Sequence, residues 1–386
     1  MSFTFRAIIA AILLFANSVV FASTPHYAIV IDAGSTGSRL HIYQYDQSDK
    51  LPIIEEIGID KTFTKEIKEG LSSYAKKPNE SGVSLKPLFD AAATILQNKP
   101  ATISVLGTAG MRLLTADEQA AIYQNIRDYL KSYPFTIEKP TDDIATVPEK
   151  MEGVYGWLDV NYLGHQFASD KDVTVGAIDM GGASTEITFS TRDTSRSDDE
   201  VNLSINGVHY VVFSKSFLKL GQDQARATMN ENAQADACYP INYPIPPTAK
   251  IGNFNQAGCG SLYADILKNK NVAGQIPLIS SKQTFVAYSG IYYDFHFLDV
   301  ENTPTQATVE QAIQRECTKS WDQLKSDHPK EAEKYLANYC ANSVYVSSLL
   351  FGTYQLQNGQ LEVKNANGNV EFNWAMGAVL FKLVGA

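Results

Sequence analysis

Two stretches of the chain repeat one pattern of apolar and polar positions. In each, an apolar run typical of a buried strand ends in an aspartate, and a turn of small and hydroxyl-bearing residues follows. The first stretch is Tyr27–Ile31 with the turn Asp32–Ser38, and the second is Val175–Ile178 with the turn Asp179–Thr185. The alternating segment Arg39–Tyr45 predicts the second strand of a hairpin. The repeat therefore predicts two duplicated halves.

Between and after these turns, the apolar pattern predicts further strands and helices. Short apolar runs predict strands over Ile103–Leu106, Val173–Met180 and Ile187–Phe189. Apolar residues at helical spacing predict helices over Leu85–Leu96, Ala116–Leu130, Glu149–Leu163, Ala341–Phe351 and Trp374–Leu383. Strands and helices in this order predict an α/β fold with mixed sheets flanked by helices, and the last helix is expected to pack on the first half.

The two turns have the composition of phosphate-binding loops. Glycine lets backbone N–H groups come close to an anion, and serine and threonine hydroxyls add further donors. An aspartate at the strand end, such as Asp32 or Asp179, can hold a divalent cation beside the phosphate. A single turn of this kind closes many hairpins, but two after matching strands predict a site for one phosphate chain.

Length and charge narrow the classes of function. A chain of 386 residues can form two cores, so two domains are expected. The formal net charge of −10 argues against nucleic acid as a partner, because binding a phosphate backbone requires a basic surface. A single nucleotide is not excluded, since a metal ion and backbone amides can hold it locally.

The N-terminal segment has the pattern of an export signal. Arg6 precedes the apolar run Ala7–Phe21, and the small residue Ala22 suits cleavage before Ser23. Residues 1–22 are therefore predicted to be a signal peptide, with a retained anchor as the alternative. No second apolar stretch of spanning length follows, so we expect no membrane span after cleavage and a secreted or periplasmic protein.

The four cysteines agree with an exported protein, because thiols oxidise outside the cytoplasm. Three pairings are possible, and Cys238–Cys259 with Cys317–Cys340 closes the two shortest loops. Each bridge would stabilise the fold by about 3 kcal/mol on the chain-entropy model. The alternative is four free buried thiols.

Four motifs in order resemble the conserved regions of one enzyme family. They are Gly107–Leu114, Glu152–Trp157, Asp179–Ile187 and Trp374–Gly377, and with the first turn they cover nearly the whole chain. They resemble the nucleoside triphosphate diphosphohydrolases, or apyrases, and in particular a secreted bacterial member. The segments Tyr288–Tyr293 and Tyr339–Val346 are also similar to family segments.

The resemblance implies the two-domain fold of actin, sugar kinases and heat-shock ATPases, with duplicated RNase H-like halves. The active site of this fold lies in the cleft between the domains. Domain I would comprise residues 23–147 plus about 372–386, and domain II residues 148–371. A monomer is favoured.

The resemblance also implies roles for the motif residues. Asp32 and Asp179 would hold Ca²⁺ or Mg²⁺, largely through water. Glu152 matches the family's general base for an in-line water, and Ser184 would help to place that water. The implied phosphate-binding residues are Gly34, Ser35, Thr36, Gly37, Thr108, Ala109, Gly181, Gly182, Ala183 and Ser184.

The roles of several other side chains are less specific. Arg112 contacts a phosphate or forms a structural salt bridge, whereas Arg39, on a strand, is expected to be structural. Tyr339 and Tyr345 are the candidates for stacking on the nucleobase, which needs an aromatic face. The two tryptophans of the motifs are expected in the core: Trp157 and Trp374.

Glu186 departs from the family pattern, which has glutamine at this place. An amide both donates to and accepts from a water, whereas an ionised carboxylate only accepts. The hypothesis is that the negative charge of Glu186 weakens nucleotide binding and slows turnover. Glu186 is therefore included among the catalytic candidates, with a surface-facing position of no function as the alternative.

These residues predict hydrolysis of the terminal phosphates of nucleoside tri- and diphosphates to monophosphates. One alternative is another enzyme on the same fold, an exopolyphosphatase or a sugar kinase. The other is a non-catalytic nucleotide-binding module. A kinase must exclude water from its cleft, whereas Glu152 would activate a water.

Overall fold

The computed structural model describes residues 24–46, 51–58, 65–168, 174–192 and 197–385. Two β-sheets organise these residues. Seven strands form the first sheet, and β1 at its centre pairs with β2 on one side and β5 on the other. These strands are β1 (His26–Ala33), β2 (Ser38–Tyr45), β3 (Ile54–Glu56), β4 (Glu66–Ile67), β5 (Ala101–Gly107), β6 (Phe135–Thr136) and β7 (Ile144–Thr146).

The second sheet has six strands in the order β10-β11-β9-β8-β12-β13 among the residues described. They are β8 (Gly176–Met180), β9 (Ser184–Ser190), β10 (Glu200–Ile205), β11 (Val208–Leu218), β12 (Phe285–Ala287) and β13 (Leu361–Val363). A short hairpin of β14 (Ala366–Asn367) and β15 (Val370–Glu371) follows.

Helices cover both sheets and connect them. In the first half they are α1 (Ser81–Ser84), α2 (Lys86–Leu96), α3 (Ala109–Arg112), α4 (Ala116–Leu130) and α5 (Pro140–Asp143). The remaining helices are α6 (Glu149–Leu163), α7 (Gln222–Asn230), α8 (Gln256–Asn269), α9 (Gly290–Phe297), α10 (Gln306–Cys317), α11 (Trp321–Asp327), α12 (Glu333–Ser347) and α13 (Trp374–Val384).

The two sheets repeat one topology. In the first sheet β1 and β2 form an antiparallel hairpin, and β1 runs parallel to β5. In the second sheet β8 and β9 form the corresponding hairpin, and β8 runs parallel to β12. Each phosphate-loop candidate is the turn of one hairpin. The prediction of duplicated halves with mixed sheets is therefore confirmed.

Helices α6 and α13 join the two halves through a shared apolar cluster. That cluster contains Val30 of the first sheet, Ala177 of the second, and both tryptophans of the motifs, Trp157 and Trp374. A Cβ added at Gly377 would lie 1.8 Å from a backbone oxygen of α6, so only glycine allows the helices to cross this closely. Both tryptophans are buried, as expected.

The cysteines form the two predicted bridges, Cys238–Cys259 and Cys317–Cys340. The first ties the turn before Tyr239 to α8, and the second ties the end of α10 to α12. Both bridges lie in the second half, which therefore contains two crosslinks that brace its helices.

Most predicted elements are confirmed to within a few residues, but one boundary differs and several elements, among them helices α7 to α11, were not predicted. Helix α12 begins at Glu333, eight residues before the predicted start, because polar residues occupy its exposed first turns. The long hairpin β10–β11 was not predicted. The proposed signal peptide, residues 1–22, lies outside the described residues. Within the described ranges, every helix is too short or too polar to cross a bilayer.

Candidate active site

The first loop follows β1, where Asp32 stands opposite Arg39 of β2. Residues 34–37 form the turn between these strands. The loop is packed against β4, since a Cβ added at Gly37 would lie 2.6 Å from the carbonyl oxygen of Ile67. Glycine at this position therefore allows a backbone contact that no other residue allows.

The second loop follows β8, and the N-terminus of α7 orients its peptide groups. The amide of Gln222 donates to the carbonyl of Gly181 at 2.9 Å, and the amide of Asp223 donates to the carbonyl of Gly182 at 3.0 Å. In a trans peptide the N–H points opposite to the C=O. The N–H groups that follow these carbonyls, those of Gly182 and Ala183, therefore point away from α7.

The two loops face each other. A Cβ added at Gly182 would lie 3.1 Å from Ser35 Oγ and 3.2 Å from the methyl carbon of Thr36. The β1–β2 turn and the β8–β9 turn come from different sheets, yet Gly182 of the second turn lies next to Ser35 and Thr36 of the first. Hydroxyls of the first loop and amides of the second loop can therefore bind the same chain of phosphates.

Two of the predicted donors are already used within the protein. The amide of Gly181 donates to Ser184 O at 3.0 Å and closes its turn. The amide of Thr108 donates to Ala33 O at 3.3 Å. Thr108 and Ala109 are buried, and a Cβ added at the neighbouring Gly110 would lie 2.8 Å from Ser35 Cα. This third loop therefore supports the first one from behind, and these two amides are not free donors.

Glu152 lies in the first turn of α6 and is buried beside Arg112. The guanidinium of Arg112 donates a hydrogen bond to the Glu152 carboxylate, so the salt-bridge interpretation of Arg112 is the one that the structure shows. Burial and the nearby Glu186 raise the pKa of Glu152 well above its ordinary value, while the charge of Arg112 opposes this effect.

Glu186 is buried at 2% exposure, so the surface-facing alternative is wrong. Its strand, β9, pairs with β8 so that Glu186 stands opposite Asp179. Ser216 Oγ donates to Glu186 Oε1 at 2.6 Å. Burial raises the pKa of Glu186, and hydrogen bonds from Ser184 and Ser216 oppose this rise.

Asp32 and Asp179 are the two carboxylates that could hold a cation. Burial and the negative charge of Glu186 raise the pKa of Asp179 to about 7, and the charge of Asp32 adds to this rise. Asp32 Oδ1 is buried without a hydrogen-bond partner, which is the state of an oxygen available to a ligand. Carboxylate oxygens suit the hard cations Ca²⁺ and Mg²⁺.

This donor set fits a cation that keeps much of its water. In the part of the chain that the structure describes, no three histidine, cysteine or acidic side chains are grouped as a metal centre. Two carboxylates leave several positions for water and phosphate oxygens, which is the arrangement that Mg²⁺ adopts at phosphate sites.

The two predicted base-stacking residues differ in how far they are exposed. Tyr345 is 1% exposed and packs on Tyr263, so it has no free face for a base, and this prediction is wrong. Tyr339 is half-buried, with its ring stacked on Phe297 at 4.8 Å between centroids. Tyr293 of α9, which was not a candidate from the sequence, is 52% exposed.

Tyr293 lies near charged side chains of the first sheet. Burial and Glu371 raise the pKa of Tyr293, whereas the charge of Arg39, on the first sheet, lowers it. Arg39 itself pairs with Glu66 at 3.0 Å and lies 3.9 Å from Asp32. The signal that could have identified Tyr293 is the family-like segment Tyr288–Tyr293, which ends in two adjacent tyrosines.

The sequence matches the model of a known protein family. The model of the GDA1/CD39 (nucleoside phosphatase) family matches residues 19–245 and 263–384. The chain belongs to this family. Family membership confirms the resemblance found in the motifs.

Among curated members of the GDA1/CD39 family, the chain is 27% identical to "Probable apyrase 5" of Arabidopsis thaliana. That match covers 94% of this chain and 85% of the relative. The chain is 25% identical to "Ectonucleoside triphosphate diphosphohydrolase 8" of Mus musculus, over 96% of this chain and 85% of the relative.

Solved structures show the fold. A nucleoside triphosphate hydrolase structure from Neospora caninum matches with a TM-score of 0.68 at 14% identity, covering 94% of this chain and 93% of that chain. The Ppx/GppA family member of Aquifex aeolicus matches with a TM-score of 0.59 at 12% identity, covering 94% and 99%. The expected actin-like, two-lobed fold is therefore confirmed, although the fold alone does not determine the substrate.

Proposed function

We propose that this GDA1/CD39 family member removes the terminal phosphates of nucleoside tri- and diphosphates and releases the monophosphate. The observation that carries the proposal is the contact between the two loops, with Gly182 beside Ser35 and Thr36. A site built from two opposed loops suits a chain of two or more phosphates. The names of the relatives, apyrase and ectonucleoside triphosphate diphosphohydrolase, agree with it.

Glu152 is proposed as the general base that takes a proton from the attacking water. Burial next to Glu186 makes the Glu152 carboxylate more basic, which improves a base as long as it is ionised. Arg112 supplies a charge that favours the ionised form and fixes the carboxylate in one direction. Ser184, whose hydroxyl binds Glu186, is proposed to help place the same water.

The loops are proposed to bind the phosphate oxygens through preorganised donors. The amides of Gly182 and Ala183 already point away from α7, so substrate binding requires no reorganisation of them. The hydroxyls of Ser35 and Thr36, with the turn Gly34–Gly37, would bind from the opposite side. Donors held in place before the reaction stabilise the charge of the transferring phosphoryl group.

Asp32 and Asp179 are proposed to hold one Ca²⁺ or Mg²⁺, largely through its water molecules. When bound, this cation would neutralise phosphate charge in a cleft that otherwise holds several carboxylates. The donor chemistry supports such a hard cation, because both ligands are oxygen donors and Asp32 Oδ1 has no protein partner.

The nucleoside end of the substrate is proposed to lie at the mouth of the cleft. Tyr293 presents an exposed aromatic ring, and stacking on such a ring tolerates different bases. Tyr339, half-buried on Phe297, remains a second candidate. We also propose export through residues 1–22, which agrees with two disulfide bridges in the second half.

Phosphate release from ATP, ADP, AMP and inorganic polyphosphate, with and without a chelator, tests this function. We expect release from ATP and ADP, none from AMP, and complete loss of activity with the chelator. Release from AMP alone, or activity that survives full chelation, would contradict the proposal. Release from polyphosphate without release from ATP would identify an exopolyphosphatase instead.

A further inference from the structure

The second phosphate loop rests on one short segment, residues 220–223, which follows β11 and includes the first two residues of α7. A Cβ added at Gly221 would lie 2.5 Å from the backbone nitrogens of both Ala183 and Ser184, so the segment touches the loop directly. The amides of Gln222 and Asp223 bind the two loop carbonyls. Any shift of this segment must therefore turn the peptide groups of the loop.

Helix α12 holds this segment from the other side through two buried side chains. Tyr345 donates its hydroxyl to the carbonyl of Leu220 at 2.5 Å. Asn342 Nδ2 donates to Gln222 Oε1 at 2.9 Å. Tyr345 and Asn342 are 1% and 6% exposed, so neither bond competes with solvent.

The bonds continue into a buried network. Arg226 Nη1 donates to Asn342 Oδ1 at 2.8 Å, and Gln222 Nε2 donates to Asp294 Oδ2 at 2.8 Å. Asp294 belongs to α9, where Gly290 leaves room for the Gln222 amide, because a Cβ there would lie 2.3 Å from Nε2. The Gln222 side chain is therefore held by two helices and has no freedom to rotate.

Helix α12 is itself a rigid support. The bridge Cys317–Cys340 ties it to α10 within one turn of Asn342. The ring of Tyr345 packs on Tyr263 of α8, with centroids 5.1 Å apart. The Tyr345 hydroxyl and the Asn342 amide therefore project from a helix that is held by the disulfide bridge near Asn342 and by the packing of the Tyr345 ring.

We propose that Tyr345 and Asn342 are positioning residues for phosphate hydrolysis. They hold Leu220 and Gln222, and through these residues they set the direction of the Gly182 and Ala183 amides. The inference rests on the proposed function and deepens it, because it assigns the orientation of the phosphate donors to a helix outside the cleft. Neither side chain touches substrate.

Tyr345→Phe is the sharpest test, because it removes one hydroxyl and keeps the ring that packs on Tyr263. We expect kcat for ATP and ADP to fall about tenfold, the effect of losing one buried hydrogen bond. KM should change less than twofold, because donors aimed at the transition state affect kcat. The inhibition constant of inorganic phosphate should rise severalfold.

Tyr335→Phe is the matched control on the same helix, since Tyr335 is 50% exposed in the first turn of α12 and has no part in the site. We expect its kcat and phosphate inhibition constant to equal those of the wild type. Asn342→Asp is the second variant, because it keeps an oxygen for Arg226 and loses the donor to Gln222. It should lower kcat in the same direction as Tyr345→Phe.

Two outcomes would overturn the positioning role. One is a lower melting temperature for Tyr345→Phe with unchanged kcat and phosphate inhibition, which would make the bond purely structural. The other is a Tyr345→Phe variant whose melting temperature, kcat and phosphate inhibition constant all equal those of the wild type. If the wild type releases no phosphate from ATP or ADP, the proposed function fails. Calorimetric binding of inorganic phosphate to wild type and Tyr345→Phe would then still test the positioning role.

Discussion

Arg112 and Glu152 form a buried ion pair between α3 of the first half and α6. Their side chains are 9% and 8% exposed, and the guanidinium donates directly to the carboxylate. The fold thus brings a candidate base, Glu152, next to the positive charge of Arg112, although the two residues are 40 positions apart in the chain. Removal of either partner would leave an uncompensated buried charge, so each one is expected to matter through the other.

Glu152→Gln is expected to lower kcat at least about a hundredfold, because an amide cannot take the proton of the attacking water. Nucleotide binding should persist, since the loops are unchanged. Steady-state kinetics and calorimetric binding of a non-hydrolysable ATP analogue would measure the two effects. Glu149→Gln, in the exposed first residue of the same helix, is the control. Near-normal turnover of Glu152→Gln would remove Glu152 from the mechanism.

Arg112→Met is expected to move the acid limb of the pH–rate profile to higher pH by about one unit or more. The charge of Arg112 opposes the rise in the Glu152 pKa that burial and Glu186 cause. Without it, a higher pH is needed to ionise the base. The measurement is kcat/KM between pH 5 and 9. An acid limb at the wild-type position would show that Arg112 does not control the ionisation of Glu152.

Glu186→Gln is expected to raise kcat/KM for ATP and ADP at saturating metal. Two unit charges about 4 Å apart repel by about 4 kcal/mol at an effective dielectric constant of about 20, an upper figure that metal and solvent reduce. The glutamine oxygen can still accept from Ser216, so the strand pairing should survive. Lower activity of the glutamine form would mean that the carboxylate has a catalytic or metal-binding role.

The raised pKa of Asp179 predicts that the stability of the protein depends on pH. Its pKa in the folded protein is about 7, above the value of an exposed aspartate, because burial and Glu186 disfavour the charge. The folded state therefore keeps a proton that the unfolded chain loses, and the free energy of unfolding falls as pH rises from about 4 to 7. This contribution is present at low pH and is lost as pH passes the folded pKa.

Melting temperatures between pH 5 and 8, with and without Mg²⁺ or Ca²⁺, would measure this effect. The cation binds the ionised form, so its stabilisation should increase with pH. Asp179→Asn should weaken both the pH dependence and the metal effect. Equal metal stabilisation at pH 5 and pH 8 would argue against Asp179 as a ligand.

The structure also shows why some side chains could not be assigned from the sequence. Tyr345 lies in a family-like segment rich in aromatic residues, which suggested a base-stacking role. Its hydroxyl instead binds Leu220, 125 positions earlier in the chain. Tyr293 was not proposed from the sequence, because Arg39 and Glu371, whose charges act on it, belong to segments far from it in the chain.

Features with local causes can be predicted from the order of residues alone. The turns after Asp32 and Asp179, the helix Glu149–Leu163 and the short-loop pairing of the cysteines depend on residues close together in the chain. The pairing of Arg112 with Glu152 and the burial of Glu186, in contrast, result from the packing of segments that are distant in the chain. Charges, burial and hydrogen bonds between distant segments depend on packing, and apolar periodicity contains no information about which distant partner meets which.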